Sequence, residues 1–185
     1  GQFSFGHAMF FGTGAYISSI FFMKYNLTPW LGMFAGALVA IVIALFIGFL
    51  SFRYKLRGAY FSLGTLAFAE ILRIVVQNSS YFNKTLGVNL PIGDNPLMFQ
   101  FASRTSYYYV ILIMLVIVTL ITLWISRSRL GFSLIAIREN EDAAQSLGVN
   151  TFRAKMTAIA ISGGLTAIGG AFYAQYILYI APPTT

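Results

Sequence analysis

Ile135-Ala136-Ile137-Arg138-Glu139-Asn140-Glu141-Asp142-Ala143-Ala144-Gln145-Ser146-Leu147-Gly148-Val149-Asn150 lies at the centre of a polar interval, Ser126 to Lys155, that separates two long apolar runs. The interval holds five of the chain's twelve Lys and Arg residues and three of its five acids. Its local chemistry is readable. Asn140 suits an N-cap, because its side-chain oxygen can accept from the first free amides of a helix. Glu141 and Asp142 then fall in the first turn, where carboxylates suit the positive end of the helix dipole. Ala143, Ala144, Gln145 and Leu147 favour helix, and Gly148 supplies a C-terminal stop. The spacing predicts a helix of about two turns, roughly 10 Å long, with Asn150 or Thr151 capping the next. A polar element held between two spans predicts a handle, through which something outside the membrane acts on the part inside it. A plain solvated helix–turn–helix loop fits these residues equally well.

The rest of the chain agrees with a membrane reading. Hydrophobic residues make up 58% of it and charged residues 9%, whereas soluble domains carry about 25% charged residues. Mean hydropathy is +0.76. A soluble domain of this composition would lack a surface. The net charge of +7 would suggest nucleic acid on a soluble protein. Here the basic residues lie between apolar runs and read as orientation signals. With no cysteine, disulfide and thiol chemistry are excluded.

Apolar runs cover about Gly6–Met23, Pro29–Phe52, Gly58–Val76, Tyr107–Ile125 and Thr157–Ile180. Each is near the roughly 20 residues that cross a bilayer as a helix. The fold expected is all-α, an integral membrane protein of about five transmembrane helices, with residues 1–185 as one domain. Arg53, Lys55 and Arg57 plus the five basic residues of the handle face one side, against Lys24, Lys84 and Arg104 on the other. The positive-inside rule then puts the handle loop, 126–156, in the cytoplasm, and the loop 78–106 outside. No signal peptide is expected, since no charged leader precedes the first run. The chain begins almost inside a span, and we expect a fragment.

Several features within the spans invite a function. The first segment mixes glycines and hydroxyls with aromatics: Gln2, Ser4, Gly6, His7, Gly12 and Gly14. Interrupted segments of this kind line transport sites; close helix packing is the other reading. His7 is the only histidine, and with no companion ligand it makes no metal site. Gly32, Gly36, Ala40, Ala44 and Gly48 form a small-residue ribbon, repeated at Gly163, Ala167 and Ala171. Such ribbons let helix backbones approach. Glu70 and Arg73, three apart inside a span, share a helix face and can pair. They read either as a polar gate or as an ion pair that fixes the helix. The outer loop is turn-rich at Pro91, Gly93, Asp94, Asn95 and Pro96.

Asp142-Ala143-Ala144-x-x-x-Gly148 resembles the EAA loop of ABC-transporter permeases, with Asp142 in place of the usual glutamate. The longer run Arg138-Glu139-Asn140-Glu141-Asp142-Ala143-Ala144 resembles the branched-chain amino-acid permeases of the LivM-like family. So do Gly1-Gln2-x-Ser4-x-Gly6-His7-Ala8-x-Phe10, Gly12-x-Gly14-Ala15-Tyr16 and the segment 64–73. Thr85-Leu86-Gly87-Val88-Asn89-Leu90 departs from the family's run there by lacking its middle glycine. The resemblance implies an ATP-driven importer of branched-chain or other hydrophobic amino acids. It implies that Arg138, Glu139, Glu141, Asp142, Ala143, Ala144 and Gly148 form the coupling helix on which an ATPase docks. It makes Gln2, Ser4, Gly6, His7, Gly12, Gly14 and Glu70 pathway candidates. It implies two ATPase subunits, a second homologous permease and an extracytoplasmic solute-binding protein as partners, in the cell (inner) membrane of a prokaryote. No Gly-x-x-x-x-Gly-Lys phosphate loop occurs, so ATP would bind the partners and no cofactor is expected here. Catalytic sets are absent, and no enzyme activity is expected. Urea or short-chain amides are the alternative cargo. A channel or a structural membrane protein is the alternative class.

Overall fold

The computed structural model describes residues 6–25, 28–54, 56, 58–79, 88–89, 99–101 and 103–180. Seven helices account for most of them: α1 (His7–Tyr25), α2 (Pro29–Arg53), α3 (Ala59–Asn78), α4 (Arg104–Ser126), α5 (Arg129–Glu139), α6 (Glu141–Ser146) and α7 (Thr151–Ile177). The other paired elements are two-residue strands, β1 (Val88–Asn89) and β2 (Tyr179–Ile180), which run antiparallel. The architecture is all-α apart from that ladder.

All five apolar runs are helical. Four of them, α2, α3, α4 and α7, are long and apolar enough to cross a membrane. The fifth, α1, is 19 residues long, and its Gly12, Thr13, Gly14, Ser18 and Ser19 lower its apolar character. Burial compensates for this. α1 is enclosed between α2 and α7, and Thr13, Ser18 and Ser19 are all buried. Thr13 and Ser19 donate back to the carbonyls of Met9 and Ala15, at 2.9 and 2.8 Å, so those hydroxyls need no outside partner.

Small residues set the helix spacing. A Cβ on Gly14 would lie 1.9 Å from the Ala167 carbonyl oxygen, and one on Gly170 would lie 1.9 Å from that of Phe11. Only glycine permits backbones to meet this closely. Gly36 abuts Gly14, and Gly32 abuts Ser18. Ala40, Ala44, Ala167 and Ala171 are fully buried. α1 and α7 therefore run in the same direction, while α2 runs against both, with Gly48 beside Met156 and Ile159. Met9, Phe10, Ile47 and the alanines fill the space between.

The two remaining long helices are peripheral. α3 buries only Phe61 and Thr65, and α4 buries no residue. On the side opposite the handle, Phe99 is seated among Trp30, Phe101, Tyr107 and Phe172. The Tyr107 hydroxyl donates to the Phe99 carbonyl at 3.1 Å. Rings of this kind gather at membrane–water interfaces. The turn-rich residues Pro91 to Pro96 and most of the run 85–90 lie outside the described residues.

Candidate functional site

The handle is built from four short-range devices. Ser128 caps α5, accepting from the Gly131 amide at 3.4 Å. At Asn140 the backbone turns extended, with φ −155°. The Asn140 side chain then accepts from the amides of Asp142 and Ala143, both at 3.0 Å, and starts α6. Gly148, at φ +85°, ends it in a conformation that side chains resist. Asn150 caps α7 through the Arg153 amide at 2.9 Å. α7 thus begins six residues earlier than its apolar run, and α5 fills much of the interval first read as loop.

This geometry sorts the handle's residues. Ala144 is 2% exposed and faces into the handle itself. Ala143, Gln145, Ser146, Leu147 and Gly148 are exposed. Leu147 stands at 85% exposure at the tip. Asp142 is exposed as well. Arg138 and Glu139 pair with each other in solvent, at 2.8 Å.

Glu141 turns the other way. It forms an ion pair with Lys155 of α7, and the two side chains are only 18% and 11% exposed. The Lys155 ammonium also sits 5.0 Å from the centre of the Phe52 ring at the end of α2. Phe52 in turn stacks on Phe61 of α3, with ring centres 5.5 Å apart and planes 15° from parallel. One cation thus joins α6, α7, α2 and, through the stacked ring, α3. Sequence reasoning singled out neither Lys155 nor Phe52. Fourteen residues separate Lys155 from Glu141, and the only signal was a charge at the margin of an apolar run.

Beneath this tether lies a cavity of about 480 Å³. α1, α2, α3, α5, α6 and α7 all contribute to its lining. Phe10, Phe61, Leu134, Ile137 and Ile159 give it apolar walls, and Arg138, Glu141 and Lys155 place charge on it. His7 lies on it too, its Nε2 2.9 Å from the Ser162 hydroxyl.

The remaining pathway candidates do not gather here. Gln2 and Ser4 lie outside the described residues. Gly6 is buried at the head of α1, a Cβ on Gly12 would meet no neighbouring element within 4 Å, and Gly14 packs on α7. Glu70 receives two bonds from Arg73 Nε, both at 3.0 Å, on the same helix and away from the cavity. Among the described residues no cluster could hold a metal ion. A further polar residue escaped the sequence reading. Gln175 of α7 is fully buried, and neither atom of its amide has a hydrogen-bond partner. A glutamine late in an apolar helix was its only mark.

The branched-chain amino acid transport system / permease component family matches over residues 1–185. Relatives include the high-affinity branched-chain amino acid transport system permease protein LivM of Escherichia coli (strain K12). It is 27% identical over 201 residues, which span 96% of this chain and 47% of that protein. LivM of Salmonella typhimurium is 27% identical over 203 residues, with the same shares. The nucleoside ABC transporter permease protein NupC of Lactococcus lactis subsp. cremoris is 29% identical over 164 residues, 82% of this chain and 50% of that one. The chain spans about half the length of the curated relatives it matches. No solved structure matches.

Proposed function

This chain belongs to the branched-chain amino acid transport system / permease component family, and from that premise we propose that it serves as a membrane-spanning subunit of an ATP-driven importer of branched-chain or other hydrophobic amino acids. Residues 1–185 act as one permease domain, with the handle in the cytoplasm and the loop 78–106 outside. ATP is bound and split on separate ATPase subunits. A second permease and an extracytoplasmic binding protein complete the assembly.

The observation that carries this reading is the two-faced handle. α6 presents Ala143, Gln145, Ser146 and the projecting Leu147 outward, as a docking surface requires. It turns Glu141 inward onto Lys155. A push on the outer face therefore reaches α7 directly and α2 through the Phe52 ring. A solvated loop has no use for an inward, shielded ion pair that joins its short helix to the spans. The two LivM relatives match 96% of the chain and support amino acids as cargo. The Lactococcus relative supports nucleosides as a second reading.

The test is Leu147→Asp in the full-length subunit. Leu147 touches little in this fold, so membrane abundance is expected to stay normal while ATPase co-purification and leucine uptake fall together. Wild-type uptake with Leu147→Asp would remove the docking role. Uptake of labelled adenosine but not leucine by the unaltered importer would select the nucleoside reading.

A further inference from the structure

We propose that the cavity beneath the handle is a binding site, reached from the handle side of the membrane, for a free α-amino acid with an apolar side chain. The cargo class rests on the function proposed above, whereas the location and the recognition chemistry come from the cavity. Its volume of about 480 Å³ falls in the range of roughly 300–1,000 Å³ typical of small-molecule sites. Phe10, Phe61 and Ile159 offer an apolar wall to an aliphatic side chain. Both signs of charge face the same space, Arg138 and Lys155 against Glu141.

That mixture fits a zwitterion. A planar guanidinium binds a carboxylate through two parallel bonds. Arg138 is available for this, because its bond to Glu139 is solvent-exposed, and such pairs are worth little. The ligand's ammonium finds its counter-charge at Glu141. A nucleoside carries no charge and cannot compete for either of these ion pairs.

The position has a consequence for the tether. An ammonium on Glu141 replaces the Lys155 ammonium there, so occupation and the Glu141–Lys155 pair compete for one carboxylate. A rising concentration of free amino acid on the handle side loosens the joint between α6 and α7. The cavity thereby senses the transported product.

The experiment uses the full-length permease with its companion subunits in nanodiscs, without the solute-binding protein, and radiolabelled L-leucine as probe. Saturable binding is expected. Ala158→Phe, which projects a ring into the cavity, should weaken it at least tenfold, and Arg138→Gln should do the same. L-Leucinamide, which lacks the carboxylate, and adenosine should not compete. If Ala158→Phe does not assemble, the exposed Arg138→Gln decides alone. The proposal is overturned by absent leucine binding, by binding that is indifferent to these substitutions, or by adenosine displacing leucine. Leucine uptake by wild-type proteoliposomes, measured alongside, separates the two ideas. Uptake with substitution-insensitive binding rejects the cavity alone. Substitution-sensitive binding without uptake rejects the importer reading alone.

Discussion

Glu141→Gln tests the joint between handle and spans. The substitution leaves Lys155 charged, 11% exposed, with the Phe52 ring as its nearest favourable contact. Removing one partner of a buried ion pair costs about 3–5 kcal/mol, because the other charge is left uncompensated. Exposed pairs are worth about 0.2–1 kcal/mol. This pair is more than four-fifths shielded and belongs nearer the first case. The cation–π contact, worth about 0.5–2 kcal/mol, offsets part of the loss. The net expectation is about 1–4.5 kcal/mol, which corresponds to at least roughly 5-fold in the ratio of seated to released handle. Leucine taken up per ATP hydrolysed, measured in proteoliposomes, should fall at least fivefold. ATPase co-purification should persist, since the outer face of α6 is unchanged. The charge exchange, Glu141→Lys with Lys155→Glu, should recover much of the coupling. The neutral pair, Glu141→Gln with Lys155→Met, should recover thermal stability without coupling. A wild-type uptake-to-ATP ratio in Glu141→Gln would refute the reasoning, as would a double-mutant cycle with coupling below about 0.3–0.5 kcal/mol, the level expected of independent sites.

Four further expectations follow from the packing and the topology. Gly14→Leu places a side chain into the Ala167 backbone and should abolish membrane accumulation. Gly12→Ala meets open space and should add up to about 1 kcal/mol of helix stability; lowered uptake at normal abundance would instead mark Gly12 as part of the pathway. Single cysteines at Gln145 and Ser103, both exposed at opposite ends of the spans, should react with an impermeant thiol reagent from opposite sides of the membrane, and labelling from one side would reject the orientation. Glu70→Gln should reduce abundance by removing the ion pair between Glu70 and Arg73, and adding Arg73→Gln should restore it with unchanged uptake per molecule; loss of uptake in the double variant would give Glu70 a part in transport.

What could be read from sequence was what neighbouring residues decide. The Asn140 cap, the acidic first turn of α6, the Gly148 stop and the Asn150 cap are all local, and each is present. The apolar runs became helices because length and composition suffice for a span. α5 was missed because Arg129, Arg138 and Glu139 crowd its ends, so the interval read as polar loop. The start of α7 was legible through its Asn150 cap, although Arg153 and Lys155 in its first two turns keep that stretch outside the apolar run. The joint itself depends on contacts 14 residues or more apart in sequence, and no spacing rule reaches that far. The inward position of Ala144 was not legible, since a helix of six residues is too short for periodicity to tell its inner from its outer face.

The enclosure of α1 bears on how the chain is made. Of the five long helices this one alone falls short of the apolar content of a span, and its glycine face is completed by α7, whose first residue emerges about 125 positions after α1 ends. At about 5–20 residues per second of synthesis, α1 waits roughly 6–25 s for that neighbour. During this interval α2, which follows immediately and is strongly apolar, offers it the largest partner surface, and α3 adds a smaller one. α1 and α2 are therefore expected to pair as a hairpin before α7 is made, with a cleft kept open for a late arrival. Slowed elongation after α4 should expose α1 to membrane proteases, and substitutions that weaken the α1–α2 contact should be more damaging during biogenesis than in the finished protein.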